Sequence, residues 1–373
     1  MQAPPQQTSQ EKVHRYPCPS CGAILVFEPK DGVLSCPYCG HKEVIPASAD
    51  QVEERSFEEY LKPREGQMQV IAAGALEVQC SSCGATVTFV PPEVARSCDF
   101  CGAEIVAQPK SADPTVAPEG VLPFRIPQPQ ATANIKQWIS SRWFAPNALK
   151  KFATPEAIDG VYLPFWTYDA NTVSYYTGQR GEYYYVTETY TETDDQGRSV
   201  TKTRQVRHTR WWPVSGTVTR WFDDILIPAT KSLNVKRLNA LEPWDLAEIK
   251  PYDPAFLSGF KAQRYQVELA EGFEQAKAVA AGVIEADVRR DIGGDEQMIS
   301  DIKTHYSAIT FKHLLLPVYA GAYRLNQKVY QVVVNGRTGE VQGDRPYSAW
   351  KITLFILSIL LAIFVIYLLM HSR

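Results

Sequence analysis

The chain lacks the motifs that usually announce an enzyme. It has no Gly-x-x-x-x-Gly-Lys-Ser/Thr loop to cradle a triphosphate, so helicase chemistry has no phosphate-binding element of that type. No His-Glu-x-x-His, Gly-x-Ser-x-Gly or Gly-x-Gly-x-x-Gly segment occurs either. Histidine is scarce, with 6 in 373 residues, and His208, His305 and His313 are scattered, each reading as a packing or surface residue. No cysteine is left over as a nucleophile, because all eight belong to one repeated pattern. The expectation is a protein that is not an enzyme. No apolar run opens the chain: Met1–Gln10 is rich in Pro and Gln, so no signal peptide is expected and the thiols should stay reduced. Tryptophan is absent before Trp138, which puts the material for a large core in the later part.

What is there begins with the cysteines. Cys18-Pro-Ser-Cys21 and Cys36-Pro-Tyr-Cys39 form one unit; Cys80-Ser-Ser-Cys83 and Cys98-Asp-Phe-Cys101 form a second. Fourteen residues separate the inner cysteines in both, and a glycine follows each pair: Gly22, Gly40, Gly84 and Gly102. Two intervening residues let one tight turn aim both sulfurs at one point. The glycine supplies φ > 0, turning backbone N–H groups toward the sulfurs. The spacer holds a hairpin that brings the second turn over the first; in the first unit Ile24–Phe27 and Val33-Leu34 flank Pro29-Lys30-Asp31-Gly32. Two structural Zn²⁺ sites follow, with Cys18, Cys21, Cys36 and Cys39 as one ligand set and Cys80, Cys83, Cys98 and Cys101 as the other. Disulfides and a rubredoxin-like iron site are the alternatives, and a reducing compartment disfavours the first. Four thiolates close the coordination sphere, so such a metal is structural. His14 and His41 lie beside filled sites and read as surface residues.

At the other end, Ile352–Met370 carries no charge over nineteen residues. As a helix it would span about 28 Å, close to the hydrocarbon thickness of a bilayer. Tyr347, Trp350 and Lys351 mark one edge, His371 and Arg373 the other. The expectation is a C-terminal tail anchor in the cell membrane. Reduced thiolates place the bulk of the chain in the cytoplasm.

The domain organisation expected is zinc ribbon 1 over 12–46, an acidic linker with a short helix (Phe57–Leu61) over 47–76, zinc ribbon 2 over 77–107, a flexible linker over 108–120, an α+β domain over 121–347 and a transmembrane helix over 350–370. In the domain, Gln130–Phe144 reads as an amphipathic helix, and strands are predicted at Val161–Asp169, Val173–Thr177, Tyr183–Thr193, Arg198–Trp211, Val214–Trp221 and Ile225–Ala229. Phe256–Ala286 and Asp295–Tyr306 read as helices, with Gly293-Gly294 a break and Asp295 an N-cap. Leu314–Leu325, Val329–Val334 and Thr338–Val341 complete a mixed α+β fold rich in antiparallel sheet. A short recurrence, Leu122-Pro123-Phe124, Leu163-Pro164-Phe165 and Leu316-Pro317-Val318, predicts strand starts or edges, because proline cannot donate to a ladder. Asp223 and Asp224, adjacent on a strand, would point to opposite faces.

Charge bears on partners. Residues 1–110 hold nine Lys and Arg against fourteen Asp and Glu, and each Zn(Cys)₄ centre makes the balance more negative. Such a segment is poorly equipped to neutralise phosphates. Residues 121–240 reverse the balance, with fifteen basic against ten acidic. Arg198, Lys202, Arg204, Arg207 and Arg210 precede Trp211 and Trp212. This strand has three readings: a solvated hairpin with cross-strand ion pairs, a contact with lipid headgroups, or a single-stranded nucleic-acid surface. With the turn centred on Asp195, Glu192 would face Arg198 and Glu188 would face Lys202.

Six segments in this order resemble a bacterial family of membrane-anchored proteins with TFIIB-type or rubredoxin-like zinc ribbons: Cys18–Gly22, Trp143–Asn147, Gly160–Trp166, Phe311–Pro317, Asn335–Glu340 and Arg345–Ser348. Members are often called primosomal protein N′-like helicases, a name that the missing phosphate loop argues against here. Some relatives are associated with phage-shock-like and flotillin-like partners. The resemblance therefore implies an adaptor that recruits or scaffolds proteins at the membrane in envelope maintenance or stress. The competing reading is a membrane-tethered nucleic-acid-binding protein without helicase activity.

Overall fold

A computed structural model describes residues 16–46, 48, 52–61, 116–146, 158–193, 197–263, 265–325, 328–344 and 347–371, together with the backbone of short strands between 76 and 111. The first cysteine unit is a three-stranded antiparallel ribbon: β1 (Val26–Glu28), β2 (Val33–Ser35) and β3 (Lys42–Glu43). Gly32, at φ 69°, closes the first turn by donating to Glu28 O. Next come β4 (Arg55–Ser56) and a one-turn helix, α1 (Phe57–Leu61), at the span the sequence predicts. Around the second unit, β5 (Leu76–Gln79) pairs with β6 (Thr86–Phe89), β7 (Ala95–Ser97) with β8 (Glu104–Val106), and β9 (Lys110–Ser111) with β5.

The α+β domain follows as β10 (Gly120–Val121), α2 (Gln128–Ser140), β11 (Ile158–Thr193), β12 (Ser199–Pro228), α3 (Val235–Asn239), β13 (Lys250–Pro251), β14 (Lys261–Ala262), α4 (Leu269–Ile292), β15 (Glu296–Leu325), β16 (Lys328–Asn335) and β17 (Val341–Gly343). A terminal helix, α5 (Ala349–His371), ends the chain.

Where the sequence predicts six short strands, the chain makes two long ones. β11 and β12 pair antiparallel from Phe165↔Pro228 to Thr193↔Ser199. Gly178, which falls between two of the predicted strands, and Gly216, inside another, are close-approach points in the ladder. A Cβ on Gly178 would meet Met298 O at 2.4 Å, and one on Gly216 would meet the Tyr176 hydroxyl at 2.5 Å. β15 lines the other edge of β11 from Gly321↔Ile158 to Glu296↔Gly181. Beyond that point only β11 and β12 continue, as a two-stranded arm of twelve residues a side, about 40 Å long.

Of the stretch predicted as a helix over Asp295–Tyr306, all but Asp295 is strand. Its helical look has a structural cause. Ile299 and Ile302, three apart, both pack with Tyr176 and α4, because a register shift between Thr177 and Gly178 puts them on one face. Asp295 does not cap a helix: its carboxylate accepts from Tyr183 N at 2.7 Å, and its own N–H donates to Gly181 O at 2.8 Å. The long helix also starts later than predicted. Gly259 at φ 84° and the parallel pairing of β14 with Val161 and Tyr162 hold the preceding stretch extended.

The three Leu-Pro segments lie side by side. Leu163 pairs with Leu316, and Leu122 N donates to Leu315 O at 2.9 Å. Pro164 and Pro317 sit within strands rather than at their starts, yet the edge argument survives locally. Pro164 O accepts from Ala229 N just past the end of β12, and Pro317 O accepts from Gly336 N just past the end of β16. Each missing N–H therefore points where a neighbouring strand stops.

α4 covers one face of the sheet through Ala276, Ala280, Ile284, Val288 and Ile292, spaced every four residues against Tyr168, Tyr176 and Phe222. Gly272 lets it approach: a Cβ there would lie 2.4 Å from the Tyr168 hydroxyl. Trp166 Nε1 and Tyr168 OH donate to Val267 O and Leu269 O, so two large buried rings also bond to the helix entrance. Between the cysteine units, Arg55, Ser56 and Phe57 lie on the same sheet. β4 pairs with β15 at Phe311 and Thr310, and Phe57 packs 4.8 Å from the Phe273 ring. α5 differs from every other described element: it is long and apolar enough to cross a membrane, and its apolar stretch is left unburied among the described residues.

Candidate metal centre and the surfaces around it

Cys18, Cys21, Cys36 and Cys39 come together as the spacing predicts. Their four sulfurs lie within 4.8 Å of one another, with Cys18 Sγ to Cys39 Sγ and Cys21 Sγ to Cys36 Sγ both 3.5 Å. Two equivalent turns produce this. Gly22 N donates to Cys18 O and Gly40 N to Cys36 O, while Cys18 N and Cys36 N donate to Ala23 O and His41 O. Both glycines take the left-handed backbone the turns require, at φ 76° and 74°.

The donor set fits a tetrahedral Zn²⁺. At a Zn–S length of about 2.3 Å, tetrahedral sulfurs stand about 3.8 Å apart, close to the spacing found. The electrostatics agree. Donation from Cys39 N, opposed by burial and helped by Tyr38 N, pulls the Cys36 thiol down to about 6. Cys39 is favoured by the His41 N–H but is pushed up to about 12 by the sulfurs of Cys18, Cys21 and Cys36. Four sulfurs this close cannot all ionise unless a cation sits among them. Bound there, Zn²⁺ would supply folding free energy and no open coordination position. Cys80, Cys83, Cys98 and Cys101 lie outside the described residues, as does His14. His41 is half-buried, 3.4 Å from Ser20 Oγ.

The first ribbon is not a free head. Phe27 N donates to Ser258 O at 2.9 Å, and Ser258 Oγ donates to Leu25 O at 2.6 Å. Leu25, Phe27 and Leu34 are buried in one apolar cluster with Phe124, Tyr162 and Tyr319 of the domain. Gly259 makes the fit possible, since a Cβ there would stand 2.9 Å from Val26 Cβ. Between ribbon and domain lies a cleft of about 770 Å³, lined by Phe27, Phe124, Phe256, Arg125 and Arg337 among others. Sequence reasoning missed it because its walls come from positions some 300 residues apart. Arg337 is held there by Asp245 at 3.2 Å.

Sequence reasoning also missed a buried carboxylate. Glu119 accepts from His313 N at 2.5 Å and pairs with Arg55 Nε at 2.8 Å, with its side chain only 5% exposed. Burial, opposed by Arg55, pushes its carboxyl up to about 7. His313 is wholly buried between Trp166 and Tyr265, and burial lowers it to about 4. It is the packing histidine the sequence predicts. Asp224, at φ 51°, turns out of the strand and meets Lys312 at 2.8 Å.

The basic strand forms the arm. Its pairing is shifted by two residues from the predicted register: Glu188 opposes Arg204, at 3.1 Å, and Lys202 reaches Glu192 diagonally at 2.7 Å. Arg207 and Arg210 instead lie over the rings of Tyr183 and Tyr184, at 4.1 and 5.0 Å from their centroids. Tyr184, Tyr185, Val186, Tyr190 and Trp212 are exposed along both faces.

Comparison with known proteins gives two similarities. The chain is 26% identical over 349 residues to the uncharacterized protein YdjG of Bacillus subtilis (strain 168), covering 90% of this chain and 91% of that one. Over 73 residues it is 32% identical to transcription factor S of Methanocaldococcus jannaschii, which spans 18% of this chain and 64% of that protein. No protein-family model and no solved structure matches the chain.

Proposed function

We propose that this protein is a membrane-anchored, zinc-ribbon scaffold that holds protein partners at the cytoplasmic face of the cell membrane. The observation that carries the reading is the division of the molecule. One end is an apolar helix whose membrane-length stretch stays unburied among the described residues; the other is a two-stranded arm on which Tyr185, Val186 and Trp212 stay exposed. An apolar surface of that extent in water marks an interaction site. In α5 the partner is the bilayer, and in the arm it is protein. The first ribbon, fused to the domain, is a rigid wall of the scaffold rather than a recruiting head. With a second Zn²⁺ on Cys80, Cys83, Cys98 and Cys101, the other ribbon supplies a further contact module. Crosslinking in intact cells, followed by identification of co-purified proteins, tests this. Partners should be captured by the full chain and lost when the arm is shortened; capture unchanged by both arm and ribbon deletions contradicts the reading.

The similarity to a protein named transcription factor S favours a second reading, binding of nucleic acid by the ribbons or the arm. The ion pairs of Lys202 and Arg204 count against it, because cations already paired release fewer counterions. Salt-dependent binding of DNA or RNA by the full chain, lost on neutralising Arg207 and Arg210, would favour it.

A further inference from the structure

We propose that the loop Arg142–Ala145 is a second membrane-entering element, which seats the domain in the interfacial layer of the bilayer beside α5. The proposal rests on the reading of α5 as a transmembrane helix and adds a contact that the helix alone does not require.

The loop is bonded to the first turn of α5 through three consecutive carbonyls. Ser348 N donates to Phe144 O at 2.8 Å, and Lys351 Nζ donates to Trp143 O at 3.2 Å and Ala145 O at 2.7 Å. Loop carbonyls in water need no such partners. Where the interface gives way to hydrocarbon they do, because water there becomes too scarce to satisfy them. Lys351 is the last charge before the apolar run. Its ammonium, which would otherwise have to reach back to water, spends its donors on the loop.

Depth follows from a second contact. The Phe144 ring meets Phe355 edge-on at 5.4 Å between centroids. Phe355 lies four residues past Lys351, about 6 Å further along the helix axis. A ring touching Phe355 shares its depth, so when α5 spans the bilayer Phe144 enters the hydrocarbon rim. Trp143 is 74% exposed at the level of Lys351, alongside Trp350 and Tyr347 at 71% and 60%. Aromatic rings gathered at one level beside an apolar helix form an interfacial belt. Arg142, 5.0 Å over the Trp138 ring, stands at headgroup level. The occupant of this surface is the lipid bilayer.

The test uses the full chain reconstituted into phosphatidylcholine vesicles, with acyl chains brominated near the glycerol end or near the methyl end. Tryptophan emission of the wild type is compared with that of W143F and W350F. The expected result is that each substitution removes a component quenched by the shallow bromines and spared by the deep ones. Trp350 quenched while the Trp143 component is spared by both lipids would overturn the loop proposal and leave the anchor standing. Neither component quenched would overturn the anchor, and the loop proposal with it.

Discussion

Replacing Cys36 with serine removes one of four mutually neighbouring sulfurs and the thiol whose ionisation the backbone most favours. The expected outcome is the loss of about one zinc per chain by elemental analysis. Because Cys36 shares a cluster with Phe27, Phe124 and Phe256, unfolding should also begin at a lower temperature in the domain itself. Glu119 carries a pH prediction. Its folded-state carboxyl sits near 7, above the value an unfolded chain gives it, so the folded state holds its proton more tightly. Its contribution is full below about 4.5 and is lost as pH rises through about 7. E119Q should flatten the pH dependence of denaturant unfolding between pH 5 and 8; an unchanged profile would remove Glu119 from the account. At this scale the sequence was legible where chemistry is local. Cysteine spacing and the glycine after each pair specify a turn within five residues, and Gly22 and Gly40 take that turn. Glu119 was illegible, since its character comes from Arg55 and His313, far along the chain.

Among the elements, the arm invites a direct cut. Its last contacts with β15 are made by Tyr183 and Thr209, both to Glu296. Replacing 185–207 with Asn-Gly between Tyr184 and His208 should keep zinc content and move the unfolding midpoint by only a few degrees, since exposed cross-strand pairs contribute roughly 0.2–1 kcal/mol each. A cooperative collapse of the domain would show that the arm is structural. F57A asks whether the segment between the cysteine units is part of the fold. Phe57 is 8% exposed among Tyr168 and Phe273, and truncation should cost about 3 kcal/mol by denaturant unfolding. The periodic signals that revealed α2 and α4 were read correctly as helix. Ile299 and Ile302 misled because a bulge gives strand residues a helical interval. Gly178 fell outside the predicted strands because what approaches it, β15, is not written nearby in the sequence.

For the molecule as a whole, the ends were legible and their relation to the middle was not. Eight cysteines and an uncharged nineteen-residue run can be read without knowing the fold. That the first ribbon is built into the domain, through Phe27 and Ser258, depends on surfaces that exist only after folding. The proposed reading is accordingly of one body that joins a four-cysteine ribbon, an arm and a terminal apolar helix. The arm tip, some 35 residues along β11 from its start, lies about 115 Å of strand from the end at which the anchor attaches. Lipid contact at both places would require the sheet to lie along the membrane. Membrane attachment is the claim on which the rest depends, and alkaline carbonate extraction of cell membranes tests it most directly. The full chain should stay in the membrane pellet, and a chain ending before Tyr347 should pass into the soluble fraction. A truncated chain that remains in the pellet, or a full chain released by carbonate, would contradict the account.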